Sequence, residues 1–342
     1  MTDHEAMRRE PATNLSVGIV GAGNIARSHA AGYRAAGARV LAVCDVDQER
    51  ARSFAAELEA QPYGEVEEML ESVRPAAVSV CTPPAAHLEP ALAVIRRGIP
   101  LLCEKPLADS LAAARAIEAE ARAGGVSCMV GFCHRFHEPV LQIREILQAG
   151  EIGDPVLFRN RFAYRFEGVE RSWFSNPQIS GGGTLMDTSV HSLDLYRFLI
   201  GEITRVAAQL TTLTPGLTVE DNSVLLVNGP HGVPGVIEAS WTTPVGENVL
   251  SIFGTDGCLM VDYEAGDFGV ARVRRAGESS WRDLPRTDHD RFGAEIAHFI
   301  ASVRAGRKPS PDAGDGVRVL EIVDAAYGVG GTGGCTEVPE TA

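Results

Sequence analysis

The chain has 342 residues, of which 45% are hydrophobic and 22% are charged. This length favours two domains, and the composition is ordinary for a globular protein. The 31 basic and 45 acidic residues give a net charge of -14 with no compensating basic run, so a nucleic-acid partner is not expected.

The apolar runs are too short to span a membrane, and residues 1–14 lack the apolar core of a signal peptide. We therefore expect these fourteen residues to form a flexible tail. The seven cysteines are odd in number and contain no C-x-x-C pair. This pattern indicates buried thiols in a reducing environment and predicts a cytoplasmic location.

Residues 15–133 show the alternation of an α/β domain. Short, continuously apolar runs alternate with amphipathic stretches of helical length; the runs are "LSVGIV", "VLAVCD", "AAVSVC", "IPLLCE" and "VSCMVG". Continuous apolarity is typical of strands buried on both faces, with helices as crossovers. The pattern predicts a doubly wound parallel sheet of the Rossmann type.

The rhythm changes in residues 134–342. One helix, "PVLQIREILQAG", precedes six predicted strands: "PVLFRNRFAYRF", "TRVAAQLTTL", "NSVLLVNG", "PGVIEASWTT", "ENVLSIFG" and "GCLMVDY". Strands that follow one another without helices indicate a mainly antiparallel sheet. With two closing helices at about 288–305 and 314–327, this half is predicted to be an α+β domain with an open sheet, serving substrate binding and oligomerisation.

The first strand is followed by a G-x-G-x-x-A turn at Gly21, Gly23 and Ala26, with Asn24 and Ile25 at the start of the next helix. Such a turn brings a pyrophosphate close to the backbone and to the free N–H groups of a helix N-terminus. The alternative is a glycine-rich turn in a fold that binds no nucleotide.

An acidic residue supports the nucleotide interpretation. Asp45 ends the second predicted strand, where a ribose-binding carboxylate is expected. Because a carboxylate repels a 2'-phosphate, NAD is favoured over NADP, although Arg50 and Arg52 are close in sequence.

Two later strand ends carry polar motifs, "CTPPAAH" at 81–87 and "CEKPLA" at 103–108. The carboxyl ends of parallel strands form the ligand-binding edge of such sheets. Lys105 lies directly after a buried strand and before a proline, so we expect it to be partly desolvated, with a lowered pKa. The alternative is an exposed lysine at a strand end.

The stretch "GGGTLMDTSVHSLDL", residues 181–195, places Asp187 and His191 four residues apart on a predicted helix. That spacing puts both side chains on one face. A histidine can take the proton of a hydroxyl group while a carboxylate fixes its tautomer, and Lys105 would stabilise the developing oxyanion. The three glycines would let the backbone pass close to a ligand.

Two alternatives exist for this pair. It is either a buried histidine satisfied by a carboxylate, or half of a metal site. The nearby "HRFH" adds His134 and His137, but their spacing matches known metal sites poorly, so no metal is predicted.

Taken together, "GAGNIARSH", "CTPPAAH", "CEKPLA", "GFCHRF" and the glycine-led stretch resemble the Gfo/Idh/MocA oxidoreductases in order and spacing, over nearly the whole chain after Leu15. The resemblance implies that Lys105 contacts both the substrate hydroxyl and the nicotinamide ribose, and that Asp187 and His191 complete the catalytic site. It also implies that four further residues line the cofactor: Thr82, Pro83, His87 and Glu104.

The chain departs from the family at one motif, because His134-Arg135-Phe136 stands where two arginines and an aromatic residue are frequent. Arg135 is still expected to line the site. Tyr164 is expected there as well, with Trp173 either stacking on a sugar ring or packing at the rim.

The function predicted from these motifs is an NAD-dependent oxidoreductase that transfers hydride between the cofactor and a secondary alcohol or ketone of a sugar or cyclitol. Two alternatives are a non-catalytic dinucleotide sensor and an enzyme that retains NAD for transient oxidation during epimerisation or elimination. Alternating apolar positions in "NSVLLV" and "GVIEASW" predict a homodimer or homotetramer through the second sheet.

Overall fold

The computed structural model describes residues 15–285, 290–330 and 334–339, and the predicted tail lies outside them. Strands and helices alternate up to residue 131. They are β1 (Leu15–Val20), α1 (Asn24–Ala35), β2 (Ala38–Cys44), α2 (Gln48–Leu58), β3 (Gln61–Tyr63), α3 (Val66–Val73), β4 (Ala77–Val80), α4 (Leu88–Arg96), β5 (Leu101–Glu104), α5 (Leu111–Gly124) and β6 (Cys128–Gly131).

These six strands form one parallel sheet in the order β3-β2-β1-β4-β5-β6. The order reverses between β1 and β4, which is where a Rossmann sheet opens a crevice for a dinucleotide at its carboxyl edge. The predicted doubly wound fold is confirmed. Only β3, a strand of three residues, has no counterpart among the predicted strands.

The second part of the chain builds a larger sheet. Its elements are α6 (Glu138–Gln148), β7 (Pro155–Arg165), α7 (Pro177–Ser180), α8 (Val190–Leu199), β8 (Arg205–Thr211), β9 (Asn222–Asn228), β10 (Pro234–Ser240), β11 (Thr242–Gly254), β12 (Gly257–Asp262), β13 (Val270–Arg275), β14 (Arg282–Asp283), α9 (Arg291–Ala305), α10 (Ala313–Val329) and β15 (Cys335–Glu337).

The nine strands are ordered β14-β13-β12-β11-β7-β10-β9-β8-β15, and among the described strands of this second sheet only β7 and β10 pair in parallel. The predicted mainly antiparallel sheet is confirmed. Helix α8 packs on the inner face through Leu193 and Tyr196, which share a buried core with Phe158 of β7. The outer face carries exposed apolar side chains on β9, which are Val224 and Leu226.

Helix α9 returns to the first sheet. Its Ile296, Phe299 and Ile300 share a buried core with Ile19 of β1 and Tyr33 of α1. The division of the chain at residue 133 stays a prediction, but α9 packs with elements from before that point.

A glycine makes this helix contact close. A Cβ atom added at Gly32 would lie 2.8 Å from Cγ1 of Ile296, so α1 and α9 approach more closely there than a larger residue would allow.

No helix among the described residues is long and apolar enough to cross a membrane. All seven cysteines are free, and five of them are buried; these are Cys44, Cys81, Cys103, Cys128 and Cys133.

Candidate active site

The glycine turn after β1 has the geometry of a phosphate-binding turn. Gly21 has a φ of +95°, and a Cβ there would lie 2.7 Å from the backbone of Cys81, so only glycine fits. At Gly23 an added Cβ would meet nothing within 4 Å. No side chain caps the N-terminus of α1, so its first N–H groups are available to an anion.

Asp45 is fixed beside this turn. Its Oδ2 accepts from the backbone N–H of Ala22 at 2.8 Å, and its Oδ1 accepts from Asp47 N–H at 2.8 Å and from Arg50 at 3.1 Å. The structure thus places Arg50, which is also close in sequence, directly on this carboxylate.

Trp173 lies beside the glycine turn. It helps to line a cavity of about 380 Å³ whose other walls are in the first domain: Ala22, Gly23, Asn24, Arg27, Arg50 and Ser53. Its ring stacks on Phe174 at 3.8 Å and is 38% exposed. The structure therefore places Trp173 at the glycine turn, on the cofactor side of the cleft.

The loops after β4 and β5 are joined by His87. This side chain is fully buried, with Nε2 2.7 Å from the Thr82 carbonyl and Nδ1 3.0 Å from the Pro106 carbonyl. Thr82 itself donates to the Ala86 carbonyl. His87 was predicted to line the cofactor; in the structure it connects the two loops that flank the cofactor cleft.

Glu104 is also buried, and its carboxylate contacts a histidine. Its Oε1 is 2.9 Å from Nε2 of His29, whose Nδ1 is 3.0 Å from the Ser79 hydroxyl. Glu295 of α9 lies close by, and neither of its buried carboxylate oxygens has a hydrogen-bond partner. Burial and the nearby Glu104 carboxylate raise the pKa of Glu295 well above its usual value.

Lys105 and Asp187 meet across the cleft between the two sheets. Nζ of Lys105 donates to Oδ1 and to the backbone oxygen of Asp187, both at 2.8 Å. Their side chains are 17% and 21% exposed, so the pair remains accessible. Burial opposes the charge of Lys105, but the Asp187 carboxylate more than compensates and the pKa is raised. The prediction from the sequence that Lys105 has a lowered pKa is therefore wrong.

The predicted coupling of Asp187 to His191 is absent. Asp187 Oδ2 accepts from the Thr188 hydroxyl, and Nδ1 of His191 is buried without a hydrogen-bond partner. Asp187 lies in a π-helical turn, Leu185–Ser189, so the spacing of four residues no longer stacks the two side chains as in an α-helix. Burial, followed by the charges of Lys105 and Arg291, lowers the pKa of His191 well below its usual value.

The three glycines before this turn make room for the protein itself. A Cβ at Gly182 would lie 1.9 Å from the Tyr327 hydroxyl, and one at Gly183 would lie 1.8 Å from the Glu220 carbonyl. Glu220 Oε1 in turn accepts from the N–H groups of Gly183 and Leu185. The prediction that these glycines leave space for a ligand is wrong, because Glu220 and Tyr327 occupy that space.

Tyr164 and Arg135 have different surroundings. Tyr164, on β7, is close enough to Asp187 and Lys105 for both charges to influence its pKa, which burial raises. Arg135 is buried and donates to Asp194 at 2.8 Å and to Asp315 at 3.5 Å. Tyr164 thus lies with the catalytic candidates, whereas the guanidinium of Arg135 is held in a buried ion-pair network.

Three neighbours of the site have no recognisable signal in the sequence; they are Arg291 at the start of α9, Tyr263 after β12 and Glu295. All three come from segments far along the chain. In the part of the chain that the structure describes, two groups have metal-ligating atoms within 4.8 Å of one another: Cys133 with His134 and His191, and His29 with Glu104 and Glu295. The charges of Lys105 and Arg291 oppose a cation at the first group.

Comparison with known proteins agrees with this geometry. Residues 15–132 match the model of an oxidoreductase family with an NAD-binding Rossmann fold, and residues 140–260 match the Gfo/Idh/MocA C-terminal domain. The inositol 2-dehydrogenase of Rubrobacter xylanophilus is 31% identical over 93% of this chain and 91% of its own length. The chain belongs to this family.

Other relatives span the chain equally well. The scyllo-inositol 2-dehydrogenase (NAD(+)) of Bacillus subtilis is 28% identical, over 90% of this chain and 92% of its own. A solved oxidoreductase domain protein from Kribbella flavida is 26% identical, with a TM-score of 0.88 over 96% of this chain and all of that one. This Gfo/Idh/MocA protein is thus an oxidoreductase with an NAD-binding domain.

Proposed function

We propose that the protein is an NAD-dependent dehydrogenase that oxidises a secondary hydroxyl group of a sugar or cyclitol, and reduces the corresponding ketone in the reverse direction. The observation that carries this proposal is the Lys105–Asp187 pair. An ammonium group has three N–H donors, and Asp187 accepts from Lys105 at two oxygens. The remaining donor is available to a substrate oxygen.

Side chains of the protein accept the proton of the substrate hydroxyl and stabilise the charge that it leaves behind. Because its pKa is lowered, His191 is neutral near pH 7 and has a lone pair to accept the hydroxyl proton. Lys105 stabilises the negative charge that develops on the oxygen, and Asp187 holds Lys105 in place. In the reverse direction, His191 returns the proton to the oxygen.

The residues at the turn fit NAD. Gly23 leaves the backbone open, the N-terminus of α1 has no side-chain cap, and Asp45 supplies a carboxylate for a ribose hydroxyl. When bound there, NAD⁺ supplies the nicotinamide ring that accepts the hydride.

The test is NAD⁺ reduction in the presence of a panel of polyols and sugars, measured at the absorbance band of reduced nicotinamide. Lys105→Met and His191→Asn are expected to lose turnover while they still bind NAD⁺. Lys308→Met is a matched control, because Lys308 is the only other lysine and its side chain is 77% exposed. Undiminished turnover in the Lys105 and His191 variants would refute the proposal.

The same assay separates the two alternative functions. A dinucleotide sensor binds NAD⁺ but reduces none of it with any substrate. An enzyme that retains the cofactor converts substrate without releasing NADH in stoichiometric amount.

We further propose that the protein is a homo-oligomer that associates through the outer face of the second sheet. Val224 and Leu226 are 43% and 57% exposed there. On β10 the register places Val236 beside Leu226. Leu226→Asp is expected to shift elution on a sizing column toward the monomer.

A further inference from the structure

Four buried polar atoms close to the Lys105–Asp187 pair have no hydrogen-bond partner. They are Nδ1 of His134, Nδ1 of His191, the hydroxyl of Tyr263 and Nε of Arg291. Buried polar groups in folded proteins are nearly always hydrogen-bonded to protein, water or ligand. We call these four side chains the polar cluster.

The rings of three members of the polar cluster lie close together although they come from separate segments. The His134 ring lies 4.7 Å from the His191 ring and 5.3 Å from the Tyr263 ring, measured between centroids. The charge of Arg291 influences His134, His191 and Tyr263 alike. The unpartnered atoms therefore belong to one location, beside the proposed base.

Arg291 brings a positive charge to this location. Arg291 forms no ion pair with any residue that the structure describes, and its guanidinium lies 5.0 Å from the centre of the Phe292 ring. Lys105, the other nearby cation, is already paired with Asp187.

The described carboxyl groups near Arg291 form no ion pair with it. Asp290 caps α9 by accepting from Gly293 N–H at 2.9 Å. Glu295 is buried with no hydrogen bond to either oxygen, and its surroundings disfavour ionisation. Among the residues that the structure describes, Arg291 is thus a cation without an ion-pair partner.

We propose that Arg291 and Tyr263 of the polar cluster bind the carboxylate group of the substrate, so that the preferred substrates are sugar acids rather than neutral sugars or cyclitols. This proposal rests on the proposed function and specifies its substrate class. Arginine and tyrosine donate to carboxylate oxygens, and a charge-assisted hydrogen bond is roughly twice as strong as a neutral one. A single free cation matches the single charge of a carboxylate better than the double charge of a phosphate.

The experiment compares matched substrate pairs on the full-length protein: D-gluconate with D-glucitol, and D-glucuronate with D-glucose. We expect kcat/KM to favour the acid by about tenfold or more, since a hydrogen bond to a charged group contributes about 1.5–3 kcal/mol. Arg291→Gln is expected to remove this preference. Arg304→Gln is the control, because Arg304 lies exposed on the same helix and donates to the Gly37 carbonyl.

A second variant guards against misfolding of the first. Tyr263→Phe keeps the aromatic contacts with His134 but removes one donor, so it is expected to raise KM for the acids more than for the neutral sugars. Thermal melting and NAD⁺ binding check that each variant is folded.

The outcomes separate the two proposals. Turnover of neutral sugars at least as fast as of acids, or an acid preference that survives in both variants, would overturn the carboxylate site and leave the proposed function intact. If no compound reduces NAD⁺, the proposed function fails instead. Calorimetric titration of D-gluconate into the NAD⁺-loaded protein then decides the site: binding that Arg291→Gln abolishes supports it, and absence of binding rejects it.

Discussion

Nζ of Lys105 lies 2.8 Å from two oxygens of a single residue, Asp187, which is 82 positions away in the sequence. The lysine directly follows β5, at the carboxyl edge of the parallel sheet. The aspartate lies in a π-helical turn under the antiparallel sheet. The site is therefore assembled only when the two sheets are correctly docked.

The first prediction concerns the role of this ion pair. Asp187→Asn removes the carboxylate that raises the pKa of Lys105, so burial then dominates and the pKa falls. If protonated Lys105 binds the substrate oxygen, the alkaline limb of the kcat/KM profile moves to lower pH. At neutral pH we expect a loss of roughly 10- to 100-fold, equivalent to one hydrogen bond to a charged group. An unshifted alkaline limb would argue against this role for Asp187.

The second prediction concerns Glu295. Its folded-state pKa is raised, so the unfolded chain releases this proton at lower pH than the folded protein does. The stability that the proton provides is therefore lost as the pH rises above the unfolded value of about 4.3. Glu295→Gln cannot ionise and is expected to lose less stability than the parent between about pH 5 and pH 8. Denaturation midpoints at both pH values measure this.

A second carboxylate provides the control for Glu295. Glu57 is exposed and pairs with Arg27, and that hydrogen bond lowers its pKa. Glu57 is ionised in both the folded and the unfolded state over this pH range. The stability of Glu57→Gln should therefore change with pH in parallel with that of the parent protein. Parallel curves for Glu295→Gln as well would contradict a raised pKa at Glu295.

The third prediction tests the glycines before the π-helical turn. Gly183→Ala forces a methyl group against the Glu220 carbonyl, so it should destabilise the protein by about 1–3 kcal/mol, as overpacking does, and displace Asp187. Gly328→Ala is the control: an added Cβ on α10 meets nothing within 4 Å there. It should be neutral or stabilising by up to about 1 kcal/mol. Equal melting temperatures for the two variants would contradict the packing role.

The fourth prediction concerns cofactor choice. Asp45→Ala removes the carboxylate that repels a 2'-phosphate and releases Arg50 from its contact at 3.1 Å. We expect the NAD⁺ Kd to rise and the NADP⁺ Kd to fall, so that their ratio changes about tenfold or more, equivalent to roughly 1.4 kcal/mol. Arg52→Gln, on the same helix and paired with Glu49, should leave the ratio unchanged. Titration calorimetry with both dinucleotides checks this.

The order of secondary structure was predictable because burial leaves a direct pattern in the chain. Continuous apolar runs located β1 and its parallel neighbours, and alternating runs located β7 to β12. Strand β3 has three residues with polar surroundings, and β14 has two. Such short, exposed strands bury too little apolar surface to create a pattern.

The sequence predicted that Lys105 and Asp187 lie in one place, which the structure shows, but it did not predict their contacts. The sequence placed Lys105, Asp187 and His191 in one site, yet it paired the aspartate with the histidine instead of the lysine. The π-helical turn that redirects Asp187 depends on the packing of Gly183 against Glu220, which is a contact between distant segments. Local spacing carries no information about it.

Arg135 illustrates a different limit. An arginine at a strand end on the ligand-binding edge is equally compatible with substrate binding and with a buried ion pair. The choice depends on Asp194 and Asp315, which lie 59 and 180 positions further along the chain. Only the folded arrangement brings those carboxylates to it.

The packing of α9 against α1 has a consequence for synthesis of the protein on the ribosome. The parallel sheet ends at Gly131, whereas α9 begins at Arg291. In a growing chain the apolar surface around Ile19 and Tyr33 therefore stays exposed while the whole second sheet is being translated. Nascent chains fold from the N-terminus, and exposed apolar surface promotes aggregation. The nucleotide-binding half is thus expected to need chaperone protection until the last helices emerge, and it should be insoluble when expressed alone.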